Sequence, residues 1–281
     1  MASNKLRPHR QSRKAAHRLK LNRVTLCAAT SVNVEATIAA LAACLDQIEF
    51  ADCVLLTDAA VDDAHEGIRV APIAPLLSSR DYSNYILTRL VDQVHTSHCL
   101  IVQWDGFVLD AARWEDRFLD FDYIGAPWPQ FEEHVVGNGG FSLRSRKLLA
   151  ACRDPAFVRG HAEDLAICRT NRSLLEEKFG IRIADPVSAG RFAFEREGED
   201  RATFGFHGVF NMVGAVGPER FWQLFSTLDD LSTAFVDYRA LMAQIGQGNQ
   251  PWRRRFELTA KYVRHVLRDL VPDRALGMSD H

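Results

Sequence analysis

Apolar and polar positions alternate along the chain in two rhythms. "RVTLCAAT" (23–30), "DCVLLTD" (52–58) and "IRVAPI" (68–73) are short apolar runs, two of them rich in β-branched residues, and they predict strands. "VEATIAALAACLDQI" (34–48) has helical periodicity. In "DYSNYILTRLVDQV" (81–94), Tyr82, Ile86, Leu90 and Val94 recur every fourth residue, with Leu87 and Val91 beside them, which predicts one buried helix face. "HCLIVQWDGFVL" (98–109) is a continuous apolar strand ending in a polar cluster. Strand–helix alternation predicts a layered α/β fold with a mostly parallel sheet. Continuous apolar strands predict a sheet covered on both faces. A further helix begins near Ala162 and stops at Gly180, and "GQGNQP" (246–251) precedes a C-terminal helix at 252–270.

Composition narrows the class. The 281 residues are 47% hydrophobic and 25% charged, as expected of a water-soluble globule. No run reaches the roughly 18 apolar residues of a membrane span. No signal peptide is visible, so a cytoplasmic location is expected. Cysteines 27, 44, 53, 99, 152 and 168 are scattered without metal-type spacing, which predicts buried thiols.

The net charge of −2 conceals an asymmetry. Eight of the 34 Lys/Arg lie in residues 1–23, which carry no acid, leaving 26 bases against 36 acids in the rest. Residues 1–21 are therefore expected to be a basic disordered tail, either solubilising or attracted to anionic lipid headgroups at the inner face of a membrane. Nucleic acid is disfavoured as a partner, because the acidic body would repel phosphates. The C-terminal helix carries Trp252, Phe256, Val263, Val266 and Leu270 at helical spacing, beside Arg253, Arg254, Arg255, Lys261, Arg264 and Arg268. It predicts either peripheral membrane contact or a helix packed on the domain with its basic face in solvent.

Ligands of open α/β sheets sit at the carboxyl ends of the strands, so polar residues just past apolar strands are the candidates. Asp105 in "QWDGF" (103–107) is either a divalent-cation ligand or a turn aspartate, and Trp104 is a core residue or a stacking platform. In "VGNGGFSLRSRKLL" (136–149), Gly137, Gly139 and Gly140 either let a ligand approach the backbone or form a tight hairpin. Arg144, Arg146 and Lys147 follow as phosphate partners or as a solvated helix face. Glu163 and Asp164 open a helix, either to complement its dipole or to serve as a general base. His207 in "FGFHGVF" (204–210) is an ordinary histidine or a metal ligand.

Taken in order, "QWDGF", "DYIGAPW" (122–128), "NGGFSLRSRKLL", "EDLAICR" and "FGFHG" resemble the GT-A class of nucleotide-sugar-dependent glycosyltransferases, and more closely a bacterial and fungal domain family regarded as glycosyltransferase-like. The resemblance spans roughly residues 22–212. It implies a GT-A-like, Rossmann-like domain at 22–245, followed by a helical extension at 246–281. It implies that Asp105 matches the last acid of a metal- and ribose-binding motif, with Gln103 standing where a first aspartate would be. His207 matches the late metal histidine, so the implied cofactor is Mn²⁺ or Mg²⁺. Gly139 and Gly140 would lie against the donor sugar. Trp104, Gly106, Asn138 and Arg144 would complete the donor site. Arg80 and Tyr82 in "SSRDYSNY" (78–85) would help hold the nucleotide, unless that segment is simply a helix cap. Asp164, ahead of Glu163, would be the base of an inverting transfer to a glycan or lipid-linked acceptor, as in cell-surface polysaccharide or glycoconjugate synthesis. Retention stays open. Two other classes remain: a metal-dependent phosphohydrolase or nucleotidyltransferase, and a non-catalytic nucleotide-sugar or glycan-binding domain, which Gln103 favours.

Overall fold

A computed structural model describes residues 18–62, 64–196, 202–245 and 249–270. Residues 1–17 of the expected basic tail and residues 246–248 of the expected boundary lie outside the described residues.

The first half builds the sheet. Strands β1 (Leu19–Ala29), β2 (Ile48–Thr57), β3 (Arg69–Pro72) and β4 (His98–Ile101) alternate with helices α1 (Val34–Leu45) and α2 (Ser79–Thr88). Strands β5 (Tyr123–Gly125) and β6 (Ser142–Ser145) then complete a six-stranded sheet of order β3-β2-β1-β4-β6-β5. β1 to β4 run parallel, whereas β6 is antiparallel to both neighbours. The result is the mostly parallel α/β architecture that the sequence predicts. The strand order reverses between β1 and β4, and crevices open at such a reversal.

The second half is helical: α3 (Arg146–Ala151), α4 (Glu163–Leu165), α5 (Arg172–Phe179) and α6 (Pro186–Phe192). A two-stranded parallel pair, β7 (Ala193–Phe194) and β8 (Gly205–Phe206), follows. Helices α7 (Val209–Val216), α8 (Pro218–Thr227), α9 (Ser232–Val236), α10 (Tyr238–Ile245) and α11 (Pro251–Leu270) close the chain.

Both faces of the sheet are covered. Alternate side chains of β1 and β2, such as Leu26 and Leu55, join a core with α1, α6, α7, α8, α10 and Leu258 of α11. The intervening ones, Cys27 and Val54, pack with Ile86, Leu90 and Val91 from the α2 side. Small residues on α1, notably Ala36 and Ala40, are fully packed and let the helix approach closely. All six cysteines are buried free thiols, as expected.

Two features depart from the sequence pattern and two follow it. β4 ends at Ile101, not Leu109, because Gln103 and Gly106 exchange backbone hydrogen bonds of 3.0 and 3.1 Å and turn the chain back. The segment from 163 is not one regular helix: a π-helical stretch, Ala166–Thr170, separates α4 from α5. Gly180 ends α5 in the left-handed conformation at φ 58°, as its position predicts. Ser78 caps α2, its hydroxyl accepting from the Asp81 N–H at 3.2 Å, so the cap reading of "SSRDYSNY" holds.

Candidate active site

The tight turn after β4 fixes two of the candidates. Trp104 packs into the main core, and Asp105 is buried beneath the turn. The β7–β8 pair supplies the opposite wall, since its parallel register sets the residue after each strand side by side. These are Glu195 and His207. His207 Nδ1 lies 3.3 Å from Glu195 Oε1, while Nε2 lies 3.3 Å from Gln103 Oε1 and 3.7 Å from Asp105 Oδ1. The imidazole is thus held between two carboxylates. Burial works against its charge, but Asp105 and Glu195 outweigh it and lift the ring to about 9. Burial raises Asp105 above the usual carboxylate range against the pull of the imidazolium. Burial would also raise Glu195, but its bond from His207 keeps it below its usual range.

The glycine loop lies against this cluster, and the structure gives its bare backbone a reason other than a ligand. A Cβ on Gly140 would stand 2.0 Å from His207 Nε2, one on Gly139 2.2 Å from Glu163 Oε1, and one on Gly137 2.0 Å from the Trp128 ring. The space is filled by the protein's own side chains. Gly137→Ala should therefore cost roughly 1–3 kcal/mol by overpacking against Trp128. A denaturation midpoint equal to that of the wild type would show that the loop shifts freely.

Asn138 takes a left-handed conformation (φ 61°) within the loop. It is buried, it donates toward Glu195, and its Oδ1 has no hydrogen-bond partner. Gly139 donates its N–H to Asp164 Oδ2 at 2.9 Å. Burial and the neighbouring Glu163 raise the Asp164 carboxyl above its usual range, with the Gly139 N–H opposing.

Glu163 and Arg144 face each other instead of the solvent. Arg144 is fully buried, and its guanidinium meets Glu163 Oε1 at 2.8 Å. Its Nε donates to Ser142 Oγ at 3.0 Å. Arg144 lines neither of the cavities described next. Arg80 is exposed on α2 and lines neither of the cavities described next. Arg146 instead donates to the Val94 carbonyl and Lys147 to the Gly180 carbonyl.

Two cavities meet at the carboxyl ends of β1 and β4. One, of about 340 Å³, is lined by Gly139, Gly140, Asn138, Asp164, Glu195 and His207, among others. The other, of about 520 Å³, lies beyond Ala29 and Val102, with Trp104, Leu77 and Val236 in its walls. Tyr82 and Gln103 line both, joined by a hydrogen bond from Gln103 Nε2 to the phenol oxygen at 3.2 Å. The structure therefore gathers Trp104, Tyr82, Asn138, Gly139, Gly140, Glu163, Asp164 and His207 around one cleft, whereas Asp105 and Gly106 line neither cavity and Asp105 reaches it only through His207.

Several lining residues escape the sequence reading. Glu195 is one, although it directly follows the apolar run "RFAF" and obeys the same strand-end logic as Asp105. Arg196 lines the polar cavity and forms a paired contact with Asp237 at 3.0 and 3.1 Å. His161 bonds Ser79 and Ser83 of α2, each at 3.2 Å, a partnership about 80 residues apart in sequence that no local pattern signals.

Residues 68–207 match the model of a protein family described as "Protein of unknown function (DUF5672)". That segment runs from the start of β3 to His207 and contains Asp105, the glycine loop, Glu163 and Asp164. A search of curated proteins returned no match. Among solved structures, the chain is similar to a glycosyltransferase involved in the glycosylation of the major capsid of PBCV-1. The identity is 9% and the TM-score 0.41, over 73% of this chain and 99% of that one.

Proposed function

We propose that the chain is a glycosyltransferase that moves a sugar from a nucleotide-sugar donor to a hydroxyl of a glycan or lipid-linked acceptor. The observation that carries this reading is the pair of joined cavities at the reversal of strand order. A part-apolar chamber suits a nucleoside, and the polar chamber beside it suits a diphosphate and a sugar. Asn138 Oδ1 is a buried acceptor suited to a sugar hydroxyl.

Charge supports a cation. Asp105, Glu195 and Asp164 set three carboxylates against one imidazolium, while Glu163–Arg144 and Asp237–Arg196 cancel within themselves. A diphosphate would be repelled from such a site. Asp105 and His207 Nε2, with Gln103 Oε1 alongside, form a donor set suited to Mn²⁺ or Mg²⁺, and Glu195 on Nδ1 is the outer partner such a histidine needs. Among the described residues no group of three His, Cys, Asp or Glu is placed to hold a metal by itself, so the donor's phosphate oxygens would complete the shell. The cation's contribution is charge stabilisation on the leaving diphosphate. Ligation needs the neutral ring, so proton and cation compete for Nε2.

Asp164 takes the proton of the acceptor hydroxyl. The acceptor oxygen then bonds to the anomeric carbon, and the bond from that carbon to the phosphate oxygen breaks, releasing nucleoside diphosphate. Attack from the side opposite the leaving group inverts the anomeric centre.

Calorimetry with UDP and GDP, with and without Mn²⁺, tests the reading. Asp105→Asn and His207→Ala should abolish metal-dependent binding, and Glu195→Gln should weaken it by about 10–100-fold. Failure of every nucleotide to bind under any divalent cation would remove the proposal. So would binding that both Asp105→Asn and His207→Ala leave intact. Release of nucleoside monophosphate without sugar transfer would assign the site to phosphorus chemistry instead.

A further inference from the structure

Helix α11 leaves one apolar stripe uncovered. Its inner face packs on the body through buried Leu258 and through Tyr262, which stacks on Tyr238 at 4.2 Å and meets Phe235 edge-on. Two basic residues also face inward: Arg254 lies over Trp222 and pairs with Glu219, and Lys261 lies over the Phe225 ring. Trp252, Phe256, Val263 and Leu267 point the other way, with 75%, 72%, 47% and 55% of their surfaces exposed. At about 100° per residue these four fall within a sector of roughly 60°, along about 22 Å of helix. Exposed Arg255 borders one edge of the stripe, and exposed Arg253 and Arg264 border the other. Val266, grouped with the stripe on sequence spacing, is only partly exposed and falls outside this sector.

We propose that this stripe docks the protein on an anionic lipid surface, with the apolar residues entering the headgroup boundary and the bordering arginines meeting lipid phosphates. Three features select that occupant. Exposed contiguous apolar surface marks an interaction site. A single-helix stripe flanked by arginines is the pattern of helices that lie in a membrane interface. A second copy of the chain is the poorer partner, because stripe-to-stripe contact would bring like-charged arginines together. Among the described residues no helix is long and apolar enough to cross a membrane, so the contact is peripheral. The neighbouring helix α9 contributes Phe235 to the α11 contact and Val236 to the wall of the larger cavity, so the stripe and the cleft are carried by adjoining helices. The inference stands on α11 alone and does not require sugar transfer.

The test is flotation of the full chain with vesicles of phosphatidylglycerol and phosphatidylcholine, against phosphatidylcholine alone. The expected result is flotation with the anionic vesicles only, reversed by salt. The double variant Trp252→Ser/Phe256→Ser should lose flotation. The triple variant Arg253→Gln/Arg255→Gln/Arg264→Gln should weaken partitioning by roughly a hundredfold. All these positions are exposed, so both variants should keep the wild-type melting temperature. A wild-type chain that stays unbound overturns the proposal. Variants that float like the wild type overturn it too, assigning binding to the basic N-terminal residues. A salt-insensitive dimer in sedimentation, broken by the double variant and accompanied by no flotation, reassigns the stripe to self-association.

Discussion

Replacing Asp164 by asparagine should lower kcat for sugar transfer by about 10²–10⁴ while leaving donor affinity nearly unchanged. Asparagine has the same shape, and its amide oxygen can still accept the Gly139 N–H that Asp164 Oδ2 accepts at 2.9 Å. What is lost is basicity, together with the second acceptor, Oδ1, which takes the Leu165 N–H at 2.7 Å. Burial and the adjacent Glu163 hold the Asp164 carboxyl above the ordinary range, so the acidic limb of kcat should lie above that of a free aspartate. The same shift makes a stability statement. A carboxyl whose folded pKa is raised contributes stability below its unfolded value and loses it as pH rises through the folded value. At neutral pH the ionised Asp164 is therefore a cost to folding. Asp164→Asn removes that cost but sets an amide NH2 against the Leu165 N–H, so its stability should stay close to that of the wild type. A variant that is both slow and unfolded would mean that the residue is structural. A variant with most of its rate would remove Asp164 as the base.

The general layout was legible because it rests on local rhythm. Apolar runs of five or six residues gave the parallel strands, and the period of 3.6 gave α1 and α2. The polar residues after β4 and in the glycine loop were legible as strand-end candidates for the same reason. What was hidden is pairing across long sequence distances. At the glycines, sequence shows that a Cβ is missing, not what fills its place. Trp128, Glu163 and His207 fill it, from 9, 24 and 67 residues away. Likewise "SLRSRK" shows three cations in a row of four residues, but strand alternation sends Arg144 inward, where Glu163 neutralises it. On α11 the periodicity was plain, yet which face is buried depends on the aromatic residues of α8, α9 and α10 that the helix meets.

Breaking the Arg144–Glu163 pair from the arginine side should be the most destabilising single change at the site. Both side chains are buried, at 0% and 6% exposure, with the contact at 2.8 Å. Arg144→Met keeps the volume but leaves Glu163 as an uncompensated buried charge, for which about 3–5 kcal/mol of lost stability is expected. The double variant Arg144→Met/Glu163→Leu removes both charges and should recover much of that loss, because an apolar pair of similar size often matches a buried ion pair. Chemical denaturation measures both. The pair also steadies the glycine loop: Arg144 Nε holds Ser142 Oγ, which donates to the Gly139 carbonyl at 3.1 Å, and Gly139 in turn holds Asp164. Glu163→Gln keeps an acceptor for Arg144 and should lower stability more than kcat. If Glu163→Gln instead abolishes transfer while Asp164→Asn does not, the roles of the two acids are exchanged. If Arg144→Met unfolds at the wild-type midpoint, the guanidinium is not the counter-charge of Glu163, and the loop owes its shape to the glycines alone.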